Sequence, residues 1–144
     1  MKSFVNIGFF LLTLLLFFSC KNGANKIPYV YVDFTIDLNK PEYVDLSVPG
    51  GYLYLTGGFR GIVVYRVDFD EFKAYERACP YDPDCGRVNV IPDSLIAVDS
   101  CCGSEFSLKY DGVVLKGPAR EPLMQYKAIY YPNSNLLRIT NQYQ

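Results

Sequence analysis

The chain of 144 residues contains no histidine. Without an imidazole it cannot form a Ser-His or Cys-His catalytic pair, a histidine-ligated haem or a histidine-based metal site. It also lacks an excess of one charge, because 14 Lys and Arg residues face 15 Asp and Glu residues. The basic residues form no stripe, so we expect no nucleic-acid partner. No pair of carboxylates has an acid–base context either, so we predict no catalytic residues and expect that the chain is not an enzyme.

Three further motifs are incomplete. Gly57-Gly58 has neither the Lys-Ser/Thr tail nor the following helix of a phosphate-binding loop, and it is typical of a turn between strands. The acidic run at 68–71 lacks the spacing and the glycine of a calcium loop, so we interpret it as a solvated turn. No Cys-x-x-Cys motif is present, which disfavours a redox-active disulfide.

The N-terminus predicts export. Lys2 provides a short basic start, and residues 7–18 form an almost wholly apolar run with the length of a signal-peptide core. The run ends at Ser19-Cys20, which resembles the lipobox of bacterial lipoproteins, where the cysteine is acylated. We therefore predict a signal peptide at 1–19, an acylated (palmitoylated) Cys20 with a polar tether at 20–27, and one domain at 28–144. A plain signal peptide or an uncleaved anchor is the alternative.

The predicted export and acylation determine the expected location and partners. An acylated Cys20 would hold the protein on a lipid bilayer. We accordingly expect a periplasm-facing location at the inner or outer membrane of the bacterial cell envelope, with an unidentified envelope protein as a partner.

The domain itself alternates apolar and polar residues with a period of two, as half-buried strands do. Asp111-Gly112 is the strongest hairpin signal. No segment sustains a helical period, so we predict an all-β antiparallel sandwich or barrel. The predicted strands are 29–38, 41–48 (the weakest), 52–56, 62–67, 72–77, 88–91, 95–98, 106–110, 113–116, 126–131 and 136–140.

Four cysteines remain besides Cys20, namely Cys79, Cys85, Cys101 and Cys102. In an exported chain an even number of cysteines favours disulfides. A bond between the adjacent Cys101 and Cys102 would be strained. The spacing leaves both cross-loop pairings open.

Two stretches carry a family resemblance. The sequence Cys-Gly-Ser-Glu-Phe at 102–106 and the sequence Gly-Pro-Ala at 117–119 resemble the second cluster loop and the lid of Rieske [2Fe–2S] proteins. The resemblance covers about 50–140, is most specific at 101–123, and places a cluster-loop subdomain at about 72–119. It implies a Rieske-like antiparallel multi-sheet fold with cysteine loops at one tip.

The resemblance also implies which residues occupy the cluster-ligand positions. Cys79 falls on the first ligand cysteine, Tyr81 on the first ligand histidine, Asp99 on the second cysteine and Cys102 on the second histidine. A Rieske centre needs two imidazoles on one iron, and oxygen ligands suit a reduced cluster poorly. We therefore expect no cofactor and no metal at this site. A zinc site using all four cysteines is disfavoured because the adjacent Cys101 and Cys102 cannot easily reach one tetrahedral ion.

The family match further implies a disulfide between Cys85 and Cys101. This pairing leaves Cys79 and Cys102 facing each other, and we predict a second disulfide there. Ser104, whose hydroxyl would bond a cluster sulfide in the family, is retained.

The predicted function is a membrane-anchored envelope lipoprotein with a disulfide-stapled, Rieske-like domain that lacks an ordinary cluster and has a binding or structural role. The alternatives are an iron–sulfur electron carrier with non-standard ligands, and a thiol–disulfide redox accessory that uses Cys79 and Cys102.

Overall fold

The computed structural model describes residues 26–141, so the predicted signal peptide and Cys20 lie outside the described residues. This part contains ten strands and one 3-10 helix. They are β1 (Asp33–Asp37), the 3-10 helix (Pro41–Leu46), β2 (Tyr52–Leu55), β3 (Ile62–Arg66), β4 (Phe72–Glu76), β5 (Val88–Ile91), β6 (Ile96–Asp99), β7 (Glu105–Ser107), β8 (Val114–Lys116), β9 (Gln125–Tyr131) and β10 (Leu136–Thr140).

The strands form two antiparallel sheets. The larger sheet has the order β1-β10-β9-β4-β3-β2, and the smaller has the order β5-β6-β7-β8. The smaller sheet is an insertion between β4 and β9, which pair with each other in the larger sheet. The predicted all-β antiparallel architecture is confirmed.

Strand β3 lies between two hydrophobic cores, and all five of its residues are buried. Because side chains alternate along a strand, Ile62 and Val64 enter a core formed within the larger sheet. Val63 and Tyr65 enter a second core together with Phe106 and other residues of the smaller sheet. The second core therefore packs the smaller sheet, with its loops, against the larger one.

Two sequence predictions were wrong in detail. Residues 41–48 form no strand, because Pro41 opens a 3-10 helix in which only Leu46 is buried. Proline suits a first helical turn and cannot donate to a sheet ladder. Strand β1 begins at Asp33 rather than at residue 29, although the backbone amide of Val32 still donates to the Asn141 side chain at 2.6 Å.

The turns agree more closely with the sequence. Asp111 and Gly112 both have a positive φ, 50° and 68°, in the turn between β7 and β8, as the Asp-Gly signal predicts. The turn is longer than predicted, since β7 ends at Ser107 and residues 108–110 belong to the turn rather than to a strand. Within residues 26–141, no helix has the length and apolar composition needed to cross a membrane.

Candidate functional site

Two cysteine-containing loops meet at one end of the smaller sheet. The first loop connects β4 to β5, and the second connects β6 to β7. A disulfide between Cys85 and Cys101 joins them, with the two Cα atoms 6.1 Å apart. This is the pairing that the family resemblance implied, so the predicted cysteine-loop tip is present.

The second loop is a tight turn that sends its two adjacent cysteines in opposite directions. The amide of Asp99 donates to the carbonyl of Ser104 at 2.9 Å, and the amide of Gly103 donates to the carbonyl of Asp99 at 2.8 Å. Gly103 has a φ of 73°, which favours glycine. As a result Cys101 is exposed and bonds Cys85, whereas Cys102 is half-buried and approaches Cys79.

Three potential ligands converge beside this disulfide. One side-chain donor atom each from Cys79, Asp99 and Cys102 lies within 4.8 Å of the others. The two sulfur atoms are 3.7 Å apart, and the Cys102 thiol donates to Asp99 Oδ2 at 3.1 Å. Cys79 and Asp99 are buried, and Cys102 is half-buried. We call these three residues the thiol–carboxylate pocket.

The predicted second disulfide is absent, because Cys79 and Cys102 are free thiols in the structure. Instead of bonding each other, both thiols hydrogen-bond the carboxylate of Asp99. The prediction that Cys79 and Cys102 face each other was correct, but the predicted bond between their sulfurs was wrong.

The Cys79 thiol and the Asp99 carboxyl differ in the direction of their pKa shifts. Burial raises the pKa of the Cys79 thiol to about 12, although backbone amides of Tyr81 and Asp82 that point at its sulfur act in the opposite direction. Burial also raises the pKa of Asp99, but hydrogen bonds from the Cys101 amide and from the two thiols outweigh it, so the net pKa is lowered. At neutral pH the pocket therefore contains a carboxylate and a protonated Cys79.

The fourth position implied by the resemblance does not join the pocket. Tyr81 is 52% exposed, and it contributes its backbone amide rather than its phenol. A [2Fe–2S] cluster needs four protein ligands. Only three converge among the residues that the structure describes, and one of them is an oxygen ligand. The site therefore does not fit a [2Fe–2S] cluster.

Ser104 connects the pocket to the predicted lid at 117–119. Its fully buried hydroxyl lies 3.0 Å from the Cys102 sulfur and accepts a hydrogen bond from the Ala119 amide at 2.9 Å. Ala119 is buried, while Gly117 and Pro118 are exposed. The lid thus lies over the pocket and is held there by the serine.

One supporting residue, Glu76, was not predicted from the sequence. It is 0% exposed, and its carboxylate accepts hydrogen bonds from the amides of Phe59, Arg60 and Ala78 and from the Tyr126 hydroxyl. It therefore fixes both the glycine-rich turn and the residue before Cys79. Along β4, Glu76 lies on the same face as the buried Phe72 and Ala74. A charged residue at this position of an otherwise apolar face is the sequence signal that could have identified it.

No protein-family model matches the chain, and no curated protein matches its sequence. Among solved structures it is similar to the ferredoxin of carbazole 1,9a-dioxygenase from Nocardioides aromaticivorans IC177, at 15% sequence identity and a TM-score of 0.48. The match covers 80% of this chain and 100% of that chain.

Proposed function

We propose that this chain is a lipid-anchored protein of the bacterial cell envelope whose Rieske-like domain lacks a [2Fe–2S] cluster and serves as a binding or structural module. One observation carries the proposal. Of the four positions that the resemblance assigns to cluster ligands, three meet as two thiols and a carboxylate, and the fourth, Tyr81, faces solvent. No imidazole is available to replace any of them.

The loops are held together without a cluster. The disulfide between Cys85 and Cys101 links them covalently, and such a cross-link restricts the unfolded chain. Arg60, in the turn between β2 and β3, ties the first loop to the larger sheet, since its guanidinium donates to the carbonyls of Pro83 at 3.1 Å and Asp84 at 2.7 Å. A cluster is thus unnecessary for the shape of the tip.

Thiol–disulfide exchange is less well supported. The attacking species in exchange is a thiolate, and burial disfavours that form of Cys79. Cys79 is also only 1% exposed, and this burial hinders the attack of its sulfur on an external disulfide.

The contact surface of this module is the tip. Tyr81 of the first loop and Gly117 and Pro118 of the lid are exposed. An aromatic side chain on a loop held by a disulfide offers a large contact area at low entropic cost. An envelope protein that binds the tip would therefore depend on Tyr81.

Two experiments test the proposal. Material isolated under anaerobic conditions should be colourless and should give no EPR signal on reduction, whereas a brown protein with such a signal would refute the absence of a cluster. Replacing Cys20 by Ser should move the protein from the detergent phase to the aqueous phase and abolish labelling by a palmitate analogue. Retention of the label would contradict acylation at this residue.

A further inference from the structure

The thiol–carboxylate pocket has the dimensions of a site for a single tetrahedral ion. In a tetrahedral zinc site with Zn–S bonds of about 2.3 Å, two sulfur ligands lie about 3.8 Å apart, and sulfur and oxygen ligands lie about 3.5 Å apart. In the pocket the corresponding distances are 3.7 Å between the Cys79 and Cys102 sulfurs and 3.1 Å between the Cys102 sulfur and Asp99 Oδ2. Both distances are within a few tenths of an ångström of these values, and the third pair, Cys79 and Asp99, lies within 4.8 Å.

We propose that Cys79, Asp99 and Cys102 bind one thiophilic divalent cation, for which Zn²⁺ is the best match. The proposal departs from the expectation, drawn from the sequence, that this site holds no metal. It does not depend on the lipid anchor or on the contact role of the tip.

Two backbone amides of the first loop would help to stabilise a Cys79 thiolate once a cation is bound. The amides of Tyr81 and Asp82, two and three residues after the cysteine, both point at its sulfur. Amide hydrogen bonds favour a charged acceptor. They also fix the direction of the sulfur, as outer-shell contacts do for metal ligands.

Asp99 is held in the same manner. Its Oδ1 accepts a hydrogen bond from the Cys101 amide at 3.0 Å, and this bond leaves Oδ2 facing the Cys102 sulfur. A zinc ion between the three ligands would replace the two thiol protons, which pass to solvent. Two thiolates and one carboxylate would then carry one negative charge in excess of the cation. The surrounding amides offset that excess.

Access and the fourth position also fit a bound ion. Cys102 is half-buried, so an ion can enter from its side of the pocket. Tyr81 is 52% exposed, so a water molecule or the nearby Ser104 hydroxyl would be the fourth ligand. Zinc sites with three protein ligands commonly keep such an open position. Two sulfur ligands disfavour Mg²⁺ and Ca²⁺, which prefer oxygen.

The test is a cobalt titration of the full-length, detergent-solubilised protein, from which bound metal has first been removed by dialysis against a chelator. No reductant is used at any step, so that the Cys85–Cys101 disulfide is retained. Co²⁺ reports thiolate ligation by a charge-transfer band in the near ultraviolet and tetrahedral geometry by intense visible bands. We expect one equivalent of Co²⁺ to give both signals and Zn²⁺ to displace it. Zn²⁺ should also raise the melting temperature.

Substitutions at the pocket identify the ligands. Cys102→Ser changes a half-buried residue, and Asp99→Asn retains the acceptor for the Cys101 amide. Each should weaken Co²⁺ binding by at least about 10–100-fold, since the loss of an outer-shell partner alone costs that much. Asp84→Asn, at an exposed carboxylate in the first loop, is the matched control and should bind as the unsubstituted protein does. Melting curves recorded without metal show whether each variant is folded.

Three results would overturn the proposal. The first is the absence of a thiolate-to-cobalt band in folded protein. The second is a folded Cys102→Ser variant that binds Co²⁺ as tightly as the unsubstituted protein does. The third is a mass-spectrometric finding that Cys79 and Cys102 are joined by a disulfide in native material.

Discussion

Glu76 offers the sharpest stability prediction, because four hydrogen-bond donors converge on one fully buried carboxylate. Oε1 accepts from the amides of Arg60 at 2.8 Å and Ala78 at 3.1 Å. Oε2 accepts from the Phe59 amide at 2.7 Å and from the Tyr126 hydroxyl at 2.7 Å. The change Glu76→Gln keeps the shape of the side chain but removes its charge and converts one acceptor into a donor.

The magnitude follows from the best orientation of the new amide. Its NH₂ group would take the place of Oε2, since the Tyr126 hydroxyl can rotate to accept a hydrogen bond and the Phe59 amide cannot. One buried backbone N–H is then left without an acceptor, at a cost of about 1–3 kcal/mol, and weaker bonds to the remaining donors add about 1 kcal/mol. We expect a loss of about 3 kcal/mol in the free energy of unfolding.

Denaturant unfolding under non-reducing conditions measures this loss. The midpoint should fall without a change in slope, and the melting temperature should drop by roughly 10 °C. Glu121→Gln, at an exposed carboxylate, is the control and should change stability by less than about 0.5 kcal/mol. If Glu76→Gln is as stable as the control, Glu76 does not brace the glycine-rich turn and the cysteine loop.

Three further predictions concern the tip and the cores. Replacing Cys85 and Cys101 together by Ala should lower the free energy of unfolding by about 3 kcal/mol under non-reducing conditions, because the disulfide closes a loop with a sequence separation of 16; an unchanged unfolding midpoint would contradict this. Burial raises the pKa values of Tyr75 and Tyr126, so their contribution to stability is complete below the ordinary tyrosine value of about 10 and is lost as the pH rises above it; ultraviolet titration should show these two phenols ionising only together with unfolding. Ser104→Ala removes the acceptor of the lid amide and should cost about 1 kcal/mol while accelerating hydrogen exchange at that amide, and unaltered exchange would show that the serine does not hold the lid.

The sequence predicted the position of the turn at Asp111-Gly112, but it extended the preceding strand to residue 110, whereas β7 ends at Ser107. The strand predicted at 41–48 was wrong, because an alternating pattern of apolar residues cannot by itself show whether a neighbouring strand is available for pairing. The 3-10 helix is instead favoured by a proline that fits its first turn.

The site was predicted in position but not in chemistry. The resemblance placed Cys79, Asp99 and Cys102 at one point and paired Cys85 with Cys101. Whether two facing thiols bond each other depends on their relation to a third group, the Asp99 carboxylate, whose hydrogen bonds are set by the turn after β6. Such three-body geometry is not encoded in the spacing of the cysteines.

The central claim is that two thiols and a carboxylate occupy this tip in place of an iron–sulfur cluster. The most direct test is a quantitative analysis of iron and acid-labile sulfide in full-length protein isolated anaerobically from the cells that produce it. The account predicts that neither is present in stoichiometric amount. Two irons and two sulfides per chain would contradict it.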